Sequence, residues 1–160
     1  YMDALLLSAV CPRLIRFVME EDYANLPPLR RFLKRAGVIP ISATNRKSIR
    51  RAFDEVEQAL SEGHLVCIFP EGTLTPDGEV GPFMRGLDII IRRSATPVIP
   101  MSLKGLWGSY FSRYKGKACS GLPSRFWTRL EIEAGPAVPA EKASAEHMHS
   151  VVSKLRGNMR

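Results

Sequence analysis

Residues 65–73, Leu65-Val66-Cys67-Ile68-Phe69-Pro70-Glu71-Gly72-Thr73, with their continuation LTPDGEVGP over 74–82, decide how the chain is read. The apolar run 65–69 is too short for a helix and is bounded by breakers, so it predicts a buried strand. Pro70 removes a ladder donor and ends the pairing. A carboxylate, a glycine and a hydroxyl follow at once. In an open α/β sheet, ligands bind at the loops that leave the carboxyl ends of strands. Glu71 therefore stands where polar chemistry is expected, beside a glycine that permits close approach. A loop carboxylate bonded only to backbone amides is the competing reading. Thr75, Pro76, Asp77 and Gly78 predict a turn.

Upstream, residues 48–62 predict a helix with Ile49, Phe53, Val56 and Leu60 as its apolar stripe and Gly63 as its stop. Residues 38–42 read as a strand. Strand 38–42, helix 48–62 and strand 65–69 form a βαβ crossover, which requires a parallel sheet. Residues 14–19 predict a further strand, 20–22 an acidic turn, and 1–10 a helix. Pro28 suits the first turn of another helix, in which Leu29, Phe32 and Leu33 face one way and Arg30, Arg31, Lys34 and Arg35 the others. Such a basic helix suits anionic headgroups as well as plain solvent.

Downstream, Gly86 opens a helix over 87–94, and 96–103 read as a strand that completes a second βαβ unit. Trp107, Tyr110, Phe111 and Tyr114, mixed with Lys104, Arg113, Lys115 and Lys117, suit a membrane interface, an acyl-chain tunnel mouth or stacked bases as well as a capped core. Residues 129–134 alternate charge with apolar groups, as a half-exposed strand does. The last helix, 141–156, carries Met148, Val151, Val152 and Leu155 on one stripe, with His147 and His149 expected on the surface. The expected fold is α/β: one domain over 1–160, with a mixed, mostly parallel sheet and helices on both faces.

The 160 residues suffice for one domain with a real core. Hydrophobic residues at 45% and charged residues at 24% are those of a globular protein. A net charge of +7 favours anionic partners or a basic solvated surface. Cys11, Cys67 and Cys119 form no CxxC pair, which argues against a disulfide frame or a zinc site. No run approaches the roughly 18 apolar residues of a membrane helix. The chain opens mid-pattern without Met, as a fragment of something longer would.

Several blocks, taken in order, resemble one family. Phe69 to Thr73 is similar to the F-P-E-G-[TSR] block of the glycerolipid acyltransferases, the PlsC-like lysophosphatidic acid acyltransferases. Gly37, Ile39 and Ile41 resemble the G-x-I-x-I-[DN]-R block, with Ser42 and Ala43 departing from its last two positions and Arg46 nearby. Phe83 and Gly86 resemble the F-[KR]-x-G step, and Val98-Ile99-Pro100 the [VI]-x-P-[VI] strand. Asp3 resembles the aspartate of H-x-x-x-x-D, although an acidic first-turn residue also suits a helix dipole. The histidine of that motif belongs three residues before Tyr1, and His64, His147 and His149 do not rebuild it. Leu74 replaces the usual arginine, which is similar to the branch that reacylates lysophosphatidylethanolamine.

The resemblance implies an O-acyltransferase that moves a fatty acyl group from acyl-CoA or acyl-ACP to the hydroxyl of lysophosphatidic acid or lysophosphatidylethanolamine. Asp3 would orient the histidine base, with Glu71 as the second catalytic position. Gly72, Thr73, Arg46, Arg85 and Gly86 would bind substrate. No metal and no cofactor beyond the thioester co-substrate are implied. The expected partners are the two substrates, an anionic membrane surface and an acyl carrier protein, with no nucleic acid. The expected place is the cytoplasmic face of the cell membrane, either peripheral or as a domain of a larger membrane protein. The rival is a non-catalytic basic lipid- or acyl-binding module.

Overall fold

The computed structural model describes residues 2–25, 27–73, 75, 77–108 and 129–157. They form two compact units. One takes in Ala4–Phe69 and Arg92–Ser94; the other takes in Tyr1–Asp3, Pro70–Ile91 and Ala95–Arg160.

The first unit is built on three parallel strands, β1 (Ile15–Glu20), β2 (Ile39–Ile41) and β3 (Leu65–Cys67), in the order β2-β1-β3. The central strand is shared end to end. Its first half pairs with β3, Ile15 opposite Leu65, and its second half with β2, Val18 opposite Ile39. Helix α1 (Met2–Val10) precedes β1. The expected acidic turn is a one-turn helix, α2 (Glu21–Ala24), followed by α3 (Pro27–Arg35). Gly37 ends α3 with a φ of +70°, a conformation that favours glycine. Phe32, expected on the apolar face of α3 with Leu29 and Leu33, is 63% exposed. The side chains of Pro28 and Leu29 lie outside the described residues.

Helix α4 (Arg46–Ser61) is the crossover between β2 and β3, and it packs on both. Asn45 caps it, its side chain accepting from the amides of Lys47 and Ser48. Ala52, Phe53, Val56 and Ala59 are its buried residues. The expected stripe of large residues is therefore only half of the contact; Ile49 and Leu60 are half-buried. Alanines at this spacing let the helix lie close to the sheet, but carry little weight in a hydropathy pattern.

Strand β3 corrects the expectation of a fully buried run over 65–69. It stops at Cys67, its residues are half-buried, and Phe69 is 42% exposed while stacking on Phe17 at 6.4 Å. Pairing on one side only explains this, because β3 is an edge of its sheet among the described residues.

In the second unit, α5 (Gly86–Ser94, belonging here up to Ile91) precedes β4 (Met101–Lys104). The expected second parallel crossover is overturned, since β4 pairs antiparallel with β5 (Glu131–Ala134), Met101 opposite Ala134. Pro97 and Pro100 lack amide donors and interrupt the expected strand 96–103. What remains is a single bridge, Val98 to Val138, followed by the short ladder. The expected mixture of parallel and antiparallel pairing is present, divided between two sheets. Ser144 caps the last helix, α6 (Ala145–Arg156), by accepting from the His147 amide at 3.1 Å. Helix α6 packs on β4 and β5, with Met148 and Ala145 buried. Tyr110, Phe111, Arg113, Tyr114, Lys115, Lys117 and Cys119 lie outside the described residues, as do Leu74 and Pro76.

Candidate active site

The loop that begins at Pro70 is closed at its base by the Met84 amide, which donates to the Pro70 carbonyl at 2.8 Å. The same segment turns directly into α5, the Leu87 amide donating to the Met84 carbonyl at 3.1 Å. Gly72 has a φ of +68°, and a Cβ there would lie 2.7 Å from the Met84 sulfur. The glycine after Glu71 is thus required twice, once by its backbone and once by Met84. Further along, the Thr75 hydroxyl donates to Asp77 at 2.9 Å and accepts from the Gly78 amide at 3.1 Å. The Glu79 amide and the Thr75 hydroxyl both donate to Asp77 and hold its carboxyl below the usual range. Gly78 is buried at a φ of +82°, with Trp107 filling the space a Cβ would need.

Glu71 is half-buried, and its Oε2 accepts the Gly81 amide at 2.7 Å. Burial pushes its carboxyl above the usual glutamate range. The Gly81 amide and then the charges of Arg156 and His149 pull it back, while the charge of Asp3 pushes it further up. The backbone-bonded reading of Glu71 therefore holds for one oxygen, and it does not exhaust the group. A half-buried carboxyl raised by desolvation beside named charges is the pattern found at functional sites.

Asp3 lies in the first turn of α1, where the helix dipole favours an acid. Its charge also acts on Glu71, so two blocks far apart in the chain are electrostatically coupled within one unit. Thr73, two residues after Glu71 in the chain, is exposed. Arg85 is exposed at the N-terminus of α5, whose first residue is Gly86. Arg46 is exposed as the first residue of α4, in the other compact unit.

Two residues of this neighbourhood escaped the sequence reading. His149, expected on the surface, is half-buried, with its ring edge-to-face against Phe83 at 5.2 Å. Its Nε2 lies 3.4 Å from the Val80 carbonyl. Arg156 donates to Glu79 at 2.6 Å and to the Gly78 carbonyl. Their seven-residue spacing puts both on one side of α6, the only local signal they carry. His147 is exposed, as expected. Among the described residues no group of three or more potential metal ligands occurs, and no helix is long and apolar enough to cross a membrane.

Comparisons place these features beside known proteins. The family model described as Acyltransferase matches residues 1–104. The chain is 28% identical over 90 residues to a chloroplastic 1-acyl-sn-glycerol-3-phosphate acyltransferase of Brassica napus, a match covering 56% of this chain and 26% of that protein. It is 28% identical over 103 residues to the 1-acyl-sn-glycerol-3-phosphate acyltransferase of Helicobacter pylori, covering 64% of this chain and 44% of that one. The chain thus spans less than half the length of these curated relatives. Its fold is similar to the crystal structure of the 1-acyl-sn-glycerophosphate acyltransferase PlsC from Thermotoga maritima. The TM-score is 0.60 at 21% identity, over 87% of this chain and 54% of that one.

Proposed function

The chain belongs to the Acyltransferase family, and from that premise we propose that residues 1–160 serve as one acyltransferase domain that acylates the free hydroxyl of a lysophospholipid. The donor is a fatty acyl thioester, on coenzyme A or acyl carrier protein. The observation that carries this reading is Glu71 itself, half-buried in the loop that begins at Pro70, with one carboxylate oxygen on the Gly81 amide at 2.7 Å and its carboxyl raised by burial.

In the proposed reaction a histidine at the H-x-x-x-x-D position takes the proton of the acceptor hydroxyl. Asp3 orients that ring and stabilises its charged form. The alkoxide oxygen attacks the thioester carbonyl, the tetrahedral intermediate collapses, and the thiolate leaves with the proton returned by the imidazolium. A base of this kind is worth about 10²–10⁴ in rate, and a thioester needs no further activation. The free oxygen of Glu71, with Gly72 and Thr73, positions the acceptor. Arg85 at the α5 N-terminus and Arg46 contact anionic groups of the substrates, because an arginine fork matches phosphate geometry. Neither a metal nor a cofactor beyond the thioester has a task in this scheme.

The partner surface is an anionic membrane on its cytoplasmic face. Helix α3 supports this, with Arg30, Arg31, Lys34 and Arg35 exposed beside an exposed Phe32 and no acid among its residues. The names of the relatives favour lysophosphatidic acid as acceptor. The Leu74-Thr75 pair favours lysophosphatidylethanolamine.

The test uses a protein carrying this chain together with upstream sequence that includes the expected histidine. Labelled acyl thioester is offered with each acceptor in turn. Turnover is expected with one of them, falling about 100-fold or more in Glu71→Ala with the fold intact. A folded protein that turns over neither acceptor with either donor would leave a basic lipid-binding module as the better reading.

A further inference from the structure

We propose that Arg156 and His149 of α6 are positioning residues, which hold the far limb of the Glu71 loop so that the Gly81 amide stays on the Glu71 carboxylate. The inference rests on the acceptor-positioning role of Glu71 given above, and extends it to a helix that lies beyond residues 1–104 of the family match.

The contacts fall on both sides of one glycine. Arg156 Nη1 donates to Glu79 Oε2 at 2.6 Å, and its Nη2 donates to the Gly78 carbonyl. His149 Nε2 stands 3.4 Å from the Val80 carbonyl, where an Nε2–H tautomer donates. The same ring packs edge-to-face on Phe83 at 5.2 Å. Helix α6 thus grips residues 78, 79, 80 and 83, and Gly81 lies among them. Gly81 itself is fitted to its partner, because a Cβ there would lie 3.1 Å from Glu71 Oε2. A shift of a few tenths of an ångström in this limb would lengthen a 2.7 Å bond to the carboxylate.

The clamp has a firm base. The Ala145 amide at the start of α6 donates to Asp88 Oδ1 of α5 at 2.7 Å, and Met148 is 2% exposed. Asp88 lies in the helix that follows the loop, so α6 is tied to both ends of the segment it steadies. The Arg156 side chain is only 12% exposed. An arginine so placed gives up much of its hydration, which a merely solvating residue does not do. The charges that face Glu71 are Asp3 from α1 and His149 and Arg156 from α6. A helix that only fills space would leave that balance unchanged when trimmed.

Three readouts separate positioning from plain structure. The first two use the chain as it stands: the Glu71 carboxyl followed by carbon NMR against pH, and hydrogen exchange of the Gly81 amide. Arg156→Met is expected to raise the Glu71 titration midpoint and to speed Gly81 exchange about tenfold. Arg156→Lys keeps the charge and should leave the midpoint near that of the parent, with exchange between the two. His149→Phe keeps the ring against Phe83 and removes both nitrogens, giving a smaller rise of the same sign. It also serves should Arg156→Met fail to fold. The third readout, in the extended enzyme, is an acceptor KM raised about tenfold in Arg156→Met at an unchanged donor KM. Folded Arg156→Met or His149→Phe with unchanged midpoint and exchange would overturn the inference. Changed midpoint and exchange beside a fully active Glu71→Ala would instead overturn the role given to Glu71.

Discussion

The β1–β3 sheet and the Glu71 loop are held by different forces. In the sheet, β1 is hydrogen-bonded on both edges, and α4 packs on its two neighbours, β2 and β3, with Ala52, Phe53, Val56 and Ala59 buried. Its stability comes from apolar area and a repeating ladder, which are spread over many atoms. Among its described residues the loop has no ladder. It is held by single bonds to named groups: Met84 to Pro70, Gly81 to Glu71, Thr75 to Asp77 and Arg156 to Glu79. The first arrangement tolerates local error and offers no reactive group. The second places a carboxyl accurately and depends on each contact. A scaffold that supports loops with chemistry is the usual division of labour in α/β proteins.

That contrast can be broken most forcefully in the sheet. Phe53→Ala should cost about 3–5 kcal/mol of folding stability, measured by urea unfolding, because it removes a buried ring under α4. A loss below 1 kcal/mol would mean that α4 does not carry the unit. Gly72→Ala comes next, at about 1–3 kcal/mol, since it combines a φ of +68° with a Cβ 2.7 Å from the Met84 sulfur. Pairing it with Met84→Ala separates the two causes. The double variant should recover the steric part and keep the backbone part.

The smallest effect sharpens the comparison most. Burial raises the Glu71 carboxyl, so the folded state holds its proton more tightly than the unfolded chain. Stability from this group is complete below the unfolded glutamate pKa and is lost as pH rises through the folded value. Glu71→Gln should therefore match the parent at low pH and gain on it across that window. A parent that gains stability over the same window, relative to Glu71→Gln, would show that the Gly81 amide outweighs burial.

The parts that were legible in the sequence are those whose causes are local. A helix period over 48–62 and short apolar runs bounded by glycine and proline belong to the segments that carry them, so α4 and the parallel crossover could be read directly, the helix two residues short at its start. Strand β4 could be located but not partnered. Its mate, β5, is distant in sequence, and pairing energy does not depend on how far apart two strands lie in the chain. Phe32 could be placed on a face of α3 but not inside or outside, because a helical wheel cannot tell which side the sheet will occupy.

The same reasoning separates Glu71 from the residues around it. By itself the sequence determined the α/β class, the strand that delivers Glu71 and the glycine that must follow it, because backbone propensity acts within a few residues. Only the tertiary structure decided that His149 and Arg156 reach this loop and that Asp3 shares its field. Those contacts are made through space by side chains on elements whose own patterns require only that they be helices.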